Sequence, residues 1–170
     1  NTDLTGTLKL GAAVKTIGRV AFYKTKLAGL DLSDATSLVS IGDNAFTDTD
    51  ITGTFVIPAK VTAIGDFAFR RTKVKGLDLS QAASLVTIGK RAFGEISNLE
   101  GTLVIPANVK TIGVNAFRET KLTSLDLSQA VSLVTIGNRA FGETNLEGTL
   151  VIPDNVTIGA NAFPSGVKIV

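Results

Sequence analysis

Residues 112–117 read Ile-Gly-Val-Asn-Ala-Phe, and the pattern Ile-Gly-x-x-Ala-Phe recurs seven times along the 170-residue chain. Successive copies start 24, 23, 24, 24, 24 and 22 residues apart. A period in this range is typical of solenoids, in which each repeat forms one coil and buries its apolar face against its neighbours. The copies begin at Ile17, Ile41, Ile64, Ile88, Ile112, Ile136 and Ile158.

Two kinds of repeat alternate along the chain. The first contains a run such as residues 101–106 (Gly-Thr-Leu-Val-Ile-Pro), and the second a run such as residues 125–130 (Leu-Asp-Leu-Ser-Gln-Ala). Apolar residues occupy every second position of both runs, which indicates a short strand with one face in the coil interior. Pro is expected to end the strand of the first kind, because it has no N–H to donate.

The sequence therefore predicts a leucine-rich-repeat solenoid, since Leu122, Leu125 and Leu127 have the Leu-x-x-Leu-x-Leu spacing of such repeats. We expect a right-handed horseshoe, α/β or mainly β, with seven coils of about 23–24 residues. Short parallel strands would alternate with short helical or 3₁₀ turns at x-x-Ala-Phe, and the seven motif Phe residues would form one ladder. Residues 1–170 are expected to be a single domain excised from a longer array, because neither end carries a polar capping coil.

A longer pattern, Val-Ile-Pro-x-x-Val-x-x-Ile-Gly-x-x-Ala-Phe, is present at residues 104–117. It resembles the BspA-like leucine-rich repeats of bacterial surface proteins, and the resemblance extends over nearly the whole chain. That family often has Cys shortly after the Phe. This chain instead has Thr25, Thr49, Thr72, Thr120 and Thr144 there, with Ile96 in the remaining internal coil. The resemblance implies an extracellular or cell-surface location and an adhesion-like role.

Composition excludes several classes of function. The chain has no Cys and no His, so thiol and imidazole catalysis and Cys/His metal sites are impossible. We identify no catalytic, cofactor-binding or metal-binding constellation, and we expect neither enzyme activity nor a cofactor. The 17 basic and 15 acidic residues give no basis for nucleic-acid binding. No apolar run approaches the ~20 residues needed to span a bilayer.

The strand positions between the inward aliphatic residues define a column on the expected concave face. Beyond Lys9 its members are Asp31, Val56, Asp78, Val104, Asp126 and Val151. As an acidic and apolar stripe, this column is the candidate binding surface for a basic or extended partner. The structural interpretation, which we favour, is that the alternation only reflects the two kinds of repeat. The Asp residues should lie ~10 Å apart, too far to share one metal ion.

Charged residues in the loops after each Phe alternate in sign from coil to coil. Arg71 and Lys73, for example, are followed one coil later by Glu95. We predict that such residues pair between coils and help to fix the register. The alternative is a polyanion-binding patch formed by the densest basic run, Arg70, Arg71, Lys73 and Lys75.

The predicted function is that of a non-enzymatic protein-binding solenoid with an unidentified protein partner. The resemblance adds an adhesin-like or cell-surface role. The alternative is a structural or self-assembling element, such as a filament subunit or an engineered consensus repeat scaffold. Regular coils and ends without caps favour that alternative, in which copies would associate end to end.

Overall fold

The chain winds into a parallel β-solenoid in the computed structural model, which describes residues 3–170. Each coil contributes a longer strand to one face and a two-residue strand to another. The longer strands are β1 (Thr5–Lys9), β3 (Lys26–Asp31), β5 (Thr54–Val56), β7 (Gly76–Asp78), β9 (Glu100–Val104), β11 (Lys121–Asp126), β13 (Gly148–Leu150) and β15 (Val167–Ile169). The two-residue strands are β2 (Thr16–Ile17), β4 (Ser40–Ile41), β6 (Ala63–Ile64), β8 (Thr87–Ile88), β10 (Thr111–Ile112), β12 (Thr135–Ile136) and β14 (Thr157–Ile158).

The predicted solenoid is confirmed in its mainly β form. Seven coils follow the seven copies of the motif, and β15 begins an eighth. Residues 3–170 contain strands, turns and irregular segments but no helix. Accordingly, nothing in this part of the chain has the helical length and apolarity that crossing a membrane requires.

The two-residue strands form one continuous sheet, which we call the short-strand face. Its seven strands are parallel and in the order β2-β4-β6-β8-β10-β12-β14. The motif isoleucines are in register across it, so that Ile112 pairs with Ile88 on one side and with Ile136 on the other. Most of these isoleucines are fully buried, because every coil directs the same residue into the interior.

The longer strands form the long-strand face, which is not one sheet. These strands pair only two by two: β1 with β3, β5 with β7, β9 with β11, and β13 with β15. In each of the first three pairs a repeat of the first kind is bonded to the following repeat of the second kind. The two kinds of repeat therefore build a structural unit of two coils.

The predicted Phe ladder is confirmed. Neighbouring rings are stacked, with centroids 5.2–5.5 Å apart and interplanar angles of 2–12°. The five internal rings are fully buried. The ladder consists of Phe22, Phe46, Phe69, Phe93, Phe117, Phe141 and Phe163.

The predicted helical or 3₁₀ turn at x-x-Ala-Phe does not form. The second x of every motif copy has a positive φ, for example 55° at Asn44, and so does the second residue after each Phe of the first six copies, for example 56° at Asp48. A helix cannot continue through such left-handed residues. Their N–H groups instead bond to the next coil, as Asn44 does to the Asp66 carbonyl at 2.8 Å.

The motif glycine is required for close packing and not for a left-handed turn. A Cβ atom on Gly113 would lie 2.6 Å from the carbonyl carbon of Gly89 in the preceding coil. Gly113 is not among the residues with positive φ, which begin two residues later at Asn115. The coils can approach this closely at the corner only because the side chain is absent.

The Thr residues three positions after five of the seven motif Phe residues are buried. In each case the hydroxyl donates to the carbonyl of the Phe three residues earlier, at 2.8–3.0 Å. That bond satisfies a polar group that would otherwise be costly to bury. These residues are Thr25, Thr49, Thr72, Thr120 and Thr144.

Candidate partner-binding face

The structure places the candidate column on the long-strand face. In the paired strands, Lys9 is opposite Asp31, Val56 is opposite Asp78, and Val104 is opposite Asp126. Val151 follows directly after β13. All of these side chains are at least partly exposed. The column is therefore brought together as a surface.

The three Asp residues of the column have a local structural role. Each carboxylate accepts a hydrogen bond from the backbone N–H two residues later, at 2.7–2.9 Å. Such a bond closes a turn where the strand ends. Hydrogen bonds from Ser33 and Ser128 lower the pKa of Asp31 and of Asp126, respectively, below the ordinary Asp value. These two carboxylates stay ionised in mild acid, so the face keeps their negative charge.

Lys9 limits the negative charge at the first coil. Its ammonium lies 3.6 Å from Asp31 and 3.0 Å from Asp34. Hydrogen bonding to Asp34, with the charges of Asp34 and Asp31, raises the pKa of Lys9 above the ordinary Lys value. The acidic character of the column is therefore greatest away from this end, at Asp78 and Asp126.

The valines of the column are exposed although they are apolar. Val56 and Val104 are each 42% exposed, and Val151 is 71% exposed. Each is followed two residues later by the Pro of its repeat. These side chains line three depressions, which we call grooves 1, 2 and 3.

The grooves lie where neighbouring strands of the long-strand face do not pair into a sheet. Single backbone hydrogen bonds, such as that from Glu100 to the Lys75 carbonyl at 3.1 Å, join the coils only at the start of these strands. Groove 1 separates β3 from β5, groove 2 separates β7 from β9, and groove 3 separates β11 from β13. Groove 2 has a volume of about 410 Å³ and is lined mainly by Leu79, Ala83, Val104, Pro106 and Ala107. Polar groups at its rim come from Ser80, Asn108 and Gln129.

The three grooves share a wall of one Leu, one Val and one Pro. Groove 1 has the equivalent wall of Leu32, Val56, Pro58 and Ala59, with a volume of about 370 Å³. Groove 3 has Leu127, Val151 and Pro153, extends further along the strands to Asp126 and Thr149, and has a volume of about 500 Å³. The long-strand face therefore presents a similar apolar depression once in every two coils.

Backbone groups are left unpaired at the grooves. Ile57 and Ile105 donate to the carbonyls of Asp78 and Asp126 in their partner strands, both within 3.1 Å. Alternate residues of a strand direct their amides to opposite sides. The amides of Val56 and Val104 are therefore directed away from the paired strand and toward the grooves. They are available to water or to a partner.

Three of the four residues of the basic run are engaged in ion pairs between coils. Arg70 binds both carboxylate oxygens of Glu95 at 2.8 and 2.9 Å, and Arg71 donates to the same carboxylate at 2.6 Å. Lys73 lies 2.6 Å from Asp50. Glu95 is the neighbour that the sequence predicted, so these pairs help to fix coil register, while Lys75 has no ion pair within residues 3–170.

The alternation in sign would also pair Lys121 with Glu143, and Lys24 or Lys26 with the acidic loop of the next coil, but these pairs do not form. Glu143 is bound by Arg118 and not by Lys121. No ion pair within 4.0 Å joins Lys24 or Lys26 to another residue of the segment from 3 to 170. In the same segment no three acidic residues are grouped so that they could hold a metal ion.

Sequence reasoning found the valines of the grooves but missed their other walls. Pro58, Pro106 and Pro153 were interpreted only as residues that end strands. The signal that could have revealed the grooves was the alternation of the two kinds of repeat. Strands of two kinds need not bond equally well to the neighbours before and after them.

A family model of the BspA type leucine rich repeat region matches six copies in residues 39–169. The search of curated proteins finds no match. The chain is similar in structure to a leucine rich cell surface protein from Faecalibacterium prausnitzii A2-165, with 25% identity and a TM-score of 0.72. That match covers 97% of this chain and 47% of the other.

Two further solved structures share the fold. One is a leucine-rich repeat protein from Bacteroides ovatus ATCC 8483, with 19% identity, a TM-score of 0.59, and coverage of 96% of this chain and 51% of that one. The other is the pneumococcal vaccine antigen PcpA, with 20% identity, a TM-score of 0.59, and coverage of 91% and 58%. The chain thus spans about half the length of the solved structures that it matches.

Proposed function

The chain belongs to the BspA-type leucine-rich repeat family, and from that premise we propose that it is a protein-binding module of a cell-surface or secreted protein, with an adhesin-like role. Its relatives in structure include a cell surface protein and a vaccine antigen. The observation that carries the proposal is the long-strand face with three grooves that share an apolar Leu, Val and Pro wall. Apolar depressions with a few polar groups at the rim are typical of binding sites.

Catalysis has no support in the described residues. The column offers carboxylates that are tied into turns by hydrogen bonds at 2.7–2.9 Å, and no acid or base is coupled to a nucleophile. Family and fold are those of repeat proteins. The surface is therefore proposed to bind and not to transform its partner.

Binding to a panel of immobilised extracellular-matrix and plasma proteins tests the proposal. The chain is passed over the panel, and each interaction is measured by surface plasmon resonance. We expect one or more specific interactions that are lost in the double variant Val56→Arg/Val104→Arg. The matched control is Val39→Arg/Val134→Arg, which places the same charges on valines of similar exposure next to β4 and β12 on the short-strand face.

Either of two results would contradict the proposal. In one, no panel protein binds the chain. In the other, both double variants weaken binding equally. The self-assembling alternative is checked in the same samples by light scattering over a wide range of concentration, where growth in mass would favour it.

A further inference from the structure

We propose that the partner presents an α-helix along the solenoid axis, with an apolar residue at every seventh position and basic residues between them. This inference rests on the proposed function and specifies the partner for the same face. It follows from the spacing of the grooves, from their apolar walls and from the charge between them.

The coil translation sets the spacing of the grooves. Rings of the Phe ladder are nearly parallel, so the distance between their centroids measures the translation from one coil to the next. That distance is 5.2–5.3 Å over the internal coils. One groove occurs in every two coils, so the grooves recur at about 10.5 Å.

An α-helix has the same repeat. Its rise of about 1.5 Å per residue gives ~10.5 Å for seven residues, and side chains seven apart lie on one face. A helix over the long-strand face can therefore place one apolar side chain in each of grooves 1, 2 and 3 without accumulating a mismatch along its axis, while its face rotates by only about 20° per heptad. Three anchors in register would bind more tightly than one.

The surface between the grooves is suited to basic residues. Val56 pairs with Asp78 between grooves 1 and 2, and Val104 pairs with Asp126 between grooves 2 and 3. Residues three or four positions after an anchor stay on the same side of a helix, half a groove spacing further along. Lys or Arg at those positions would approach Asp78 and Asp126, while the helix backbone stays over the face.

Other partners fit the face less well. Polyproline II repeats every three residues at ~9.3 Å, so its mismatch with the grooves would exceed 2 Å at the third groove. A second copy of the chain has the matching period. However, it would bring its own Asp31, Asp78 and Asp126 against the same column, and like charges oppose such pairing.

The test uses synthetic helical peptides and the whole chain. The first peptide has an Ala-rich host sequence, Leu at every seventh position over three heptads, and Lys four residues after each Leu. A control of the same composition has Leu at every eighth position. A third peptide is Pro-rich with Leu at every third position. Binding is measured by fluorescence anisotropy, with light scattering to detect pairing of the chain with itself.

The heptad peptide is expected to bind at least about tenfold more tightly than either of the others, since each control misplaces apolar anchors. Filling groove 2 by Ala107→Trp should weaken that binding about tenfold. Val134→Trp on the short-strand face should leave it unchanged. Ala107 and Val134 are both exposed, so neither substitution disturbs the core.

Equal binding of the heptad peptide and the eighth-position control would overturn the inference, as would tighter binding of the Pro-rich peptide or dimerisation that Ala107→Trp abolishes. If no peptide binds while panel proteins still bind through the long-strand face, the helix is wrong and the proposed function stands. If the panel also fails, the proposed function fails with it.

Discussion

At the scale of single residues, the left-handed positions are where the chain stores strain. The second x of the motif is Asn in three coils, and Asn accepts positive φ more easily than other non-glycine residues. In the first coil this position is Val20, with a φ of 52°. Its side chain is exposed, so it gains little packing in exchange for the strain of a β-branched residue.

We therefore predict that Val20→Asn stabilises the protein by about 1 kcal/mol. Chemical denaturation followed by circular dichroism measures the change. The matched control is Val114→Asn, at the preceding motif position, where φ is not positive. A gain of the same size in the control would mean that Asn is favoured for another reason.

Glu95 is the residue whose charge contributes most clearly to the fold. Its side chain is 17% exposed, and the hydrogen bonds from Arg70, followed by that from Arg71, lower its pKa below the ordinary value of 4.5. A lowered pKa in the folded state means that ionisation stabilises the fold above pH 4.5. That contribution is lost as the pH falls through the lowered pKa.

Glu95→Gln is expected to cost about 1–2 kcal/mol at neutral pH. The difference in the free energy of unfolding between this variant and the wild type should shrink as the pH falls below 4.5. Urea denaturation between pH 7 and pH 3 measures this. Glu143→Gln is the control, because Glu143 occupies the same position two coils later but is 59% exposed; it should cost at most about 0.5 kcal/mol. A difference for Glu95→Gln that is independent of pH would contradict the account.

At the scale of elements, the packing of coil on coil depends on the motif glycine. A methyl group on Gly113 would meet backbone atoms of Gly89 and Lys90 at 2.6 Å. The backbone cannot move aside as a flexible side chain could. The same methyl group on Gly18 has nothing within 4 Å.

Gly113→Ala is therefore predicted to cost about 1–3 kcal/mol, as overpacking typically does. Gly18→Ala should be close to neutral. Thermal unfolding of the two variants distinguishes these outcomes. If the two substitutions cost the same, close packing at the corner would not be the reason for the glycine.

Among the elements, the coils and the Phe ladder could be predicted from the sequence, whereas the conformation of the turn could not. Period and composition predicted the coils and the Phe ladder, because a residue that recurs at one position of every coil must stack on itself. The turn was predicted wrongly, since residues such as Arg91 and Arg139 take positive φ, which their identity gives no reason to expect. Backbone hydrogen bonds between coils override the ordinary preference of these residues for negative φ.

At the scale of the whole molecule, the grooves arise from the pairing of coils. The sequence predicted the exposed column, including Val56 and Val104, because alternation alone assigns residues to a face. It could not predict that β3 and β5 do not pair into a sheet, since that depends on how backbone groups of successive coils meet. The sequence thus predicts which residues lie on the candidate face, but the grooves on that face are seen only in the structure.

The long-strand face has a groove at every second coil, and we propose that a partner protein binds there. Backbone hydrogen exchange, measured by NMR for the free chain and for its complex with a panel protein, tests this most directly. We predict that the amides of Val56 and Val104 exchange freely in the free chain, unlike those of Ile57 and Ile105, which are hydrogen-bonded. They should become protected in the complex, while the short-strand face is unchanged. Equal protection of Val104 and Ile105 in the free chain, or new protection confined to the short-strand face, would contradict the claim.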